Sequence, residues 1–159
     1  MSQPRRIDGL QFARGAGTLK GALEVSQLPR LAALRCATRG LSYELRGSTD
    51  AEGRCWLQVS ANGVLTLECQ RCLGPFTFPV AFRSELLLAQ SEREIEAAGD
   101  DIDRVLAGTS MDVCQLVEDE LLLALPMAPR HERCRGKREG DATEMPTPFA
   151  KLAELKRNQ

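Results

Sequence analysis

Two short stretches of this sequence carry side chains that could bind a metal. Cys69-Gln70-Arg71-Cys72 sets two thiols three positions apart, and a turn can aim both sulfurs at one centre. Such a pair is half of a closed zinc shell. His131-Glu132-Arg133-Cys134 is the only other place where a histidine and a cysteine stand this close. Cys69, Cys72, His131 and Cys134 together would make a tetrahedral shell of three sulfurs and one nitrogen. Shells of that kind are usually structural, because no position stays open for a substrate. Two other readings share the signature: a metal-free turn with spare thiols and a solvated loop histidine, and a redox dithiol of the thioredoxin type. The redox reading fits least, since the pair lies between two strands and opens no helix. The half-sites also lie much farther apart than the roughly 12–20 residues of a zinc finger. A shared ion would therefore join the middle of the chain to a distant loop.

Other chemistry is sparse. Glu118, Asp119 and Glu120 place carboxylates side by side, and paired carboxylates can do acid–base work. On the flank of a helix such a run reads as a solvated face. No nucleotide-binding glycine loop, nucleophile elbow or internal repeat is present. The chain reads as a non-enzyme with no small-molecule substrate.

The elements that must position these residues follow from periodicity. Leu19, Gly21, Leu23 and Val25 alternate with polar neighbours, and Leu41, Tyr43 and Leu45 do likewise before the turn-forming Gly47-Ser48-Thr49-Asp50. Cys55, Leu57 and Val59 predict a third strand. Ala61-Asn62-Gly63 predicts a hairpin, because Asn-Gly accepts positive φ, and residues 64–68 return as a fourth strand that delivers Cys69. Phe76, Phe78, Val80 and Phe82 make a fifth, continued by Leu86 and Leu88. Cys36, Cys55 and Cys114 read as small core residues. Residues 91–108 are acidic and weakly apolar, which predicts a mobile connection with a short helix at 92–98. Thr109-Ser110-Met111-Asp112 starts a helix with a hydroxyl cap, and Val113, Leu116, Val117, Leu121 and Ala124 recur at helical spacing up to Pro126. A proline- and arginine-rich loop follows to Gly140. Residues 141–159 read as a flexible tether and a short terminal helix, capped by Thr147 and carrying the stripe Phe149, Leu152 and Leu155. That stripe is a candidate partner-binding surface.

Composition sets the class. The chain has 159 residues, 43% apolar and 27% charged, the balance of one soluble globular domain. Aromatic residues make up only 4%, which argues against extensive base-stacking surfaces. The run around Leu121 to Leu125 is too short to span a bilayer. No apolar h-region follows Met1, and six cysteines without a secretion signal suggest free thiols or metal ligands. A cytoplasmic location without membrane contact is expected. The net charge of −1 hides a bias: residues 1–54 carry nine Lys/Arg against five Asp/Glu, residues 55–129 four against twelve, and residues 130–159 eight against five. Basic ends suit contact with a polyanion, since each neutralised phosphate releases counterions. Solvated faces give the same layout.

Three segments together resemble the YceD family, the large ribosomal RNA subunit accumulation proteins. They are Leu67-Glu68-Cys69-Gln70-Arg71-Cys72 with Pro75-Phe76, then Leu116-Val117-Glu118-Asp119-Glu120-Leu121-Leu122-Leu123-Ala124-Leu125-Pro126 with Pro129 and His131, and Pro148-Phe149-Ala150-Lys151-Leu152-Ala153-Glu154-Leu155-Lys156. The resemblance implies a non-enzymatic role in synthesis, processing or stability of 23S ribosomal RNA. With the charge layout it marks Arg71, Arg130, Arg133, Arg135, Lys137 and Arg138 as RNA-contacting residues, clustered if the Cys-x-x-Cys turn meets the 126–140 loop. The rival class is a protein-interaction module that binds a ribosomal protein without touching RNA. The expected fold is α+β: a curved antiparallel sheet or partial β-barrel of about five strands, with one main helix over residues 112–125 packed on it and a short C-terminal helix. The expected layout is a single domain over residues 1–140, with one structural zinc as the candidate cofactor beside the metal-free reading, and with the tether and terminal helix behind it.

Overall fold

Period-two patterning decides the core. In β4 (Cys55–Glu68) alternate residues Cys55, Leu57, Val59, Ala61, Leu65 and Leu67 are buried, because successive side chains of a strand point to opposite faces. The computed structural model describes residues 6–97, 99 and 101–134. Within them, β3 (Ala37–Thr49) and β5 (Pro75–Ala89) flank β4 antiparallel, and β2 (Thr18–Leu23) pairs antiparallel with β3. The short β6 (Arg104–Leu106) runs parallel to β5. The order β2-β3-β4-β5-β6 is open, with β2 and β6 as edges, so the expected curved sheet is present without barrel closure. A second, two-stranded ladder joins β1 (Arg6–Ile7) to β7 (Met111–Asp112).

Helix α4 (Val113–Ala124) covers the sheet at β4 and β5. It buries Val113, Leu116, Val117 and Leu121, and each such side chain contributes about 1.5–3 kcal/mol when fully withdrawn from water. Its cap is Asp112, whose Oδ1 accepts the N–H groups of Cys114 and Gln115, rather than the expected hydroxyls of Thr109 or Ser110. Leu125 leaves the helix in extended conformation, and Pro126 cannot continue it. The chain then turns back toward the β4–β5 connection.

Several expectations change. Gly47, Ser48 and Thr49, expected as a turn, lie within β3, and Val25, expected in the first strand, lies in a single 3-10 turn over Val25–Gln27. The Asn62-Gly63 hairpin does not form: β4 is one strand of 14 residues, and Asn62 and Gly63 pair with Ser42 and Leu41 on one side and Ala81 and Val80 on the other. Burial stays on odd positions through this point, so the strand keeps its phase and buries one continuous face. Gly63 serves close approach, not a turn, since a Cβ there would lie 2.5 Å from the Gly40 carbonyl oxygen. The carboxylates of α4 are not all solvated either: Glu118 and Glu120 are buried. Glu118 accepts the N–H groups of Arg30 and Leu31, at 2.8 and 3.0 Å, and pairs with the Arg30 guanidinium at 3.1 Å. It thereby caps α2 (Pro29–Ala33) from a distance of 88 positions. Finally, residues 91–108 hold the expected short helix as α3 (Glu92–Glu96) but also the unexpected strand β6. Two short helices, α1 (Gly9–Arg14) and α2, carry no periodic signal long enough to predict. The expected tether at 141–159 and terminal helix with Phe149, Leu152 and Leu155 lie outside the described residues.

Candidate metal centre

The β4–β5 connection is a tight six-residue turn at 69–74. Glu68 and Pro75 close the strand ladder, the Cys69 N–H donates to the Gly74 carbonyl, and the Leu73 N–H donates to the Cys69 carbonyl. Leu73 takes φ +58°, in the left-handed region that costs a branched side chain conformational energy. The turn buries Cys69 completely and leaves Cys72 half-buried. The loop after α4 is fastened to this turn through backbone: the Gln70 N–H donates to the Pro129 carbonyl at 2.8 Å.

That fastening brings the two predicted half-sites together. Cys69 Sγ lies 3.7 Å from Cys134 Sγ, Cys72 Sγ lies 3.4 Å from His131 Nδ1, and Cys134 Sγ lies 4.0 Å from the same nitrogen. All four donor atoms fall within 4.8 Å of one another. A tetrahedral zinc with bonds near 2.3 Å to sulfur and 2.0–2.1 Å to nitrogen spaces its donors about 3.8 Å (sulfur to sulfur) and about 3.6 Å (sulfur to nitrogen). The 3.7 Å sulfur–sulfur and 3.4 Å sulfur–nitrogen spacings lie close to these values, and the 4.0 Å one is somewhat longer. His131 Nε2 sits 2.9 Å from the Pro75 carbonyl oxygen. A carbonyl can only accept, so Nε2 carries the proton and Nδ1 offers its lone pair to the sulfurs. This is how a second hydrogen bond sets the tautomer of a metal-ligating histidine. Phe76 packs its ring edgewise on the imidazole, with centroids 5.4 Å apart.

The electrostatics favour a cation. Burial resists ionisation of Cys69, but N–H groups of Cys72, Arg71 and His131 turned on its sulfur bring its pKa down to about 5. Burial likewise resists ionisation of Cys134, and a hydrogen bond from Arg71, joined in the metal-free site by one from Nδ1 of the doubly protonated His131, overcomes it. At Cys72 the Gly74 N–H favours the thiolate, yet burial and the sulfurs of Cys69 and Cys134 push the thiol up. His131 is raised, first by its hydrogen bond with Cys134. Without a cation the three thiols compete for negative charge; a divalent ion would hold all three as thiolates. Donor number, spacing and charge therefore fit a closed structural site.

The predicted RNA-contacting residues divide. Arg71 reaches back into the centre: its Nε donates to Cys134 Sγ at 3.0 Å, and its Nη2 to the carbonyls of His131 at 2.7 Å and Glu132 at 3.3 Å. Arg130 and Arg133 are exposed on the loop beside it. Arg135, Lys137 and Arg138 lie outside the described residues. Sequence reasoning missed the inward role of Arg71, since an arginine between two cysteines gives no sign of which carbonyls will face it. It also missed a groove of about 300 Å³ next to the turn, lined by Leu34, Leu67, Leu122, Leu125, Met127 and Glu68 among others. Leu34 is half exposed and Met127 fully exposed there. Among the described residues no helix is long and apolar enough to cross a membrane.

A family model described as "Large ribosomal RNA subunit accumulation protein YceD" matches residues 57–156. The match runs from β4 through both halves of the centre and spans well over half of the chain. No solved structure matches the chain.

Proposed function

The chain belongs to the YceD family, and from that premise we propose that it is a non-enzymatic ribosome biogenesis factor. It acts in synthesis, processing or stability of 23S ribosomal RNA, in the cytoplasm, by binding that RNA. The family's description ties it to accumulation of the large-subunit RNA. The observation that carries the RNA-binding step is the meeting of the Cys-x-x-Cys turn with the 129–134 loop. One zinc at Cys69, Cys72, His131 and Cys134 supplies a fixed cross-link between them. That cross-link holds Arg130 and Arg133 on a rigid support, and Arg135, Lys137 and Arg138 follow directly in sequence. Arg71 adds its charge to the same face while its Nε and Nη2 serve the centre.

Phosphate contacts have a signature in salt. Changing Arg130 and Arg133 to Glu should weaken binding to a 23S RNA fragment and flatten the slope of log affinity against log salt, by roughly one unit per lost contact. An unchanged slope would overturn direct RNA contact by this face.

A second reading is favoured by the apolar groove. Exposed Leu34 and Met127 beside Glu68 suit a basic, apolar-anchored segment of a large-subunit ribosomal protein better than they suit a nucleic acid. On this reading Phe149, Leu152 and Leu155 are a further contact with that partner.

A further inference from the structure

A zinc held by three thiolates and one neutral imidazole carries one negative charge in excess. Cys69 is fully buried, and Cys72, His131 and Cys134 are half-buried, so water neutralises that charge only in part. Something on the protein must answer it. Among the described residues, the guanidinium of Arg71 is the cationic group in contact with a sulfur of the cluster, 3.0 Å from Cys134 Sγ. The same side chain bridges to the carbonyls of His131 and Glu132, on the loop segment that carries two of the four ligands. We infer that Arg71 is a positioning residue of the metal centre, which balances the charge of the three-thiolate shell and locks the 131–134 loop onto the β4–β5 turn. This rests on the zinc reading above and departs from the view of Arg71 as a simple phosphate contact.

The choice of arginine has a physical reason. Its planar fork can donate to a thiolate and to carbonyls in different directions at once, whereas a lysine ammonium is a single charge on a flexible stem. A hydrogen bond to an ionised acceptor is also roughly twice as strong as one between neutral groups. By occupying a lone pair of Cys134, the guanidinium makes that sulfur a poorer nucleophile. Arg71 lies between Cys69 and Cys72 in sequence, yet it serves the other half-site. The turn therefore contributes two ligands and the brace for a third.

The test uses the full chain as wild type, Arg71→Gln and Arg71→Lys, each refolded with excess metal. Zinc affinity is measured by competition with a chelator of known strength, and cobalt is then used in place of zinc to read the thiolate-to-metal absorption. Arg71→Gln should bind zinc about 10- to 100-fold more weakly, the usual scale for loss of an outer partner. Its cobalt absorption should shift, because one thiolate has lost a hydrogen bond. Its zinc-loaded form should react faster with iodoacetamide. Arg71→Lys should restore part of the affinity and less of the spectrum. If wild type binds neither metal, the zinc reading fails and takes this inference with it. If wild type binds both and Arg71→Gln matches it in affinity and spectrum, the centre stands and the role of Arg71 is overturned. Weakened RNA binding with unchanged zinc affinity, or lowered stability with an unmoved cobalt spectrum, overturns it equally.

Discussion

Asp50 holds the β3–β4 turn through four hydrogen bonds: Oδ1 accepts the N–H groups of Glu52 and Arg54, and Oδ2 accepts Arg54 Nε and Trp56 Nε1. The Trp56 bond leads; partial burial opposes it, and Arg54 adds to it, so the carboxyl falls from 3.8 to about 2. The sign follows from linkage. A carboxyl depressed on folding stabilises the protein above its unfolded pKa, and that contribution is lost as pH falls toward the folded value. Melting temperature should therefore drop between about pH 4 and pH 2, and Asp50→Asn should remove that part of the acid dependence while lowering stability at neutral pH. Parallel pH–melting curves for the two proteins would refute it. At this scale the sequence was legible where chemistry dictates residue type and spacing. Cys69, Cys72, His131 and Cys134 could be named because few side chains can ligate a metal. Arg71 and Glu118 could not be assigned, because their roles depend on which backbone groups the fold brings near them: the 131–132 carbonyls for one, the α2 N–H groups for the other.

Strands were readable through their phase, and the error at Asn62-Gly63 shows which signal dominates. Asn62-Gly63 is a strong local turn signal, but a hairpin there would interrupt a buried face that continues from Ala61 to Leu65 without a change of parity. Burial outweighs local turn preference. Gly63 faces the bulge of β3, where the register shifts between Thr38 and Leu41, and a Cβ would meet the Gly40 oxygen at 2.5 Å and the Leu41 Cα at 3.0 Å. Gly63→Ala should lower stability by about 1–3 kcal/mol in urea unfolding, as overpacking does. Asn62→Ala, on the exposed face, should change it by less than about 0.5 kcal/mol. Equal losses at both positions would restore the turn reading. The helices α1 and α2 escaped notice for a plain reason: six and five residues span fewer than two turns, too little for a period of 3.6 to register.

Across the whole molecule, the cluster of Cys69, Cys72, His131 and Cys134 joins the Gln70–Pro129 hydrogen bond and the Arg71 contacts in tying the β4–β5 turn to the end of the described chain. Purified, reduced protein should carry about one zinc by elemental analysis, and Cys69→Ser should lose both metal and melting temperature, since site formation contributes to folding. Metal-free wild type with unchanged melting would reduce the site to a bare turn. The segment at 147–159 makes a separate prediction. Docked on a partner, it can be deleted with melting temperature unchanged while association with ribosomal precursors is lost; a large fall in melting temperature would return it to the protein's own core. The distance between the half-sites also imposes an order in time. Chains are made from the amino end at roughly 5–20 residues per second, and His131 follows Cys72 by 59 positions. The Cys-x-x-Cys turn therefore leaves the exit tunnel roughly 3–12 s ahead of its partner loop. For that interval the nascent sheet has only its strand pairing and apolar packing, and a zinc at this site would gain its full shell only after the entire α4 helix and the loop to Cys134 have been synthesised.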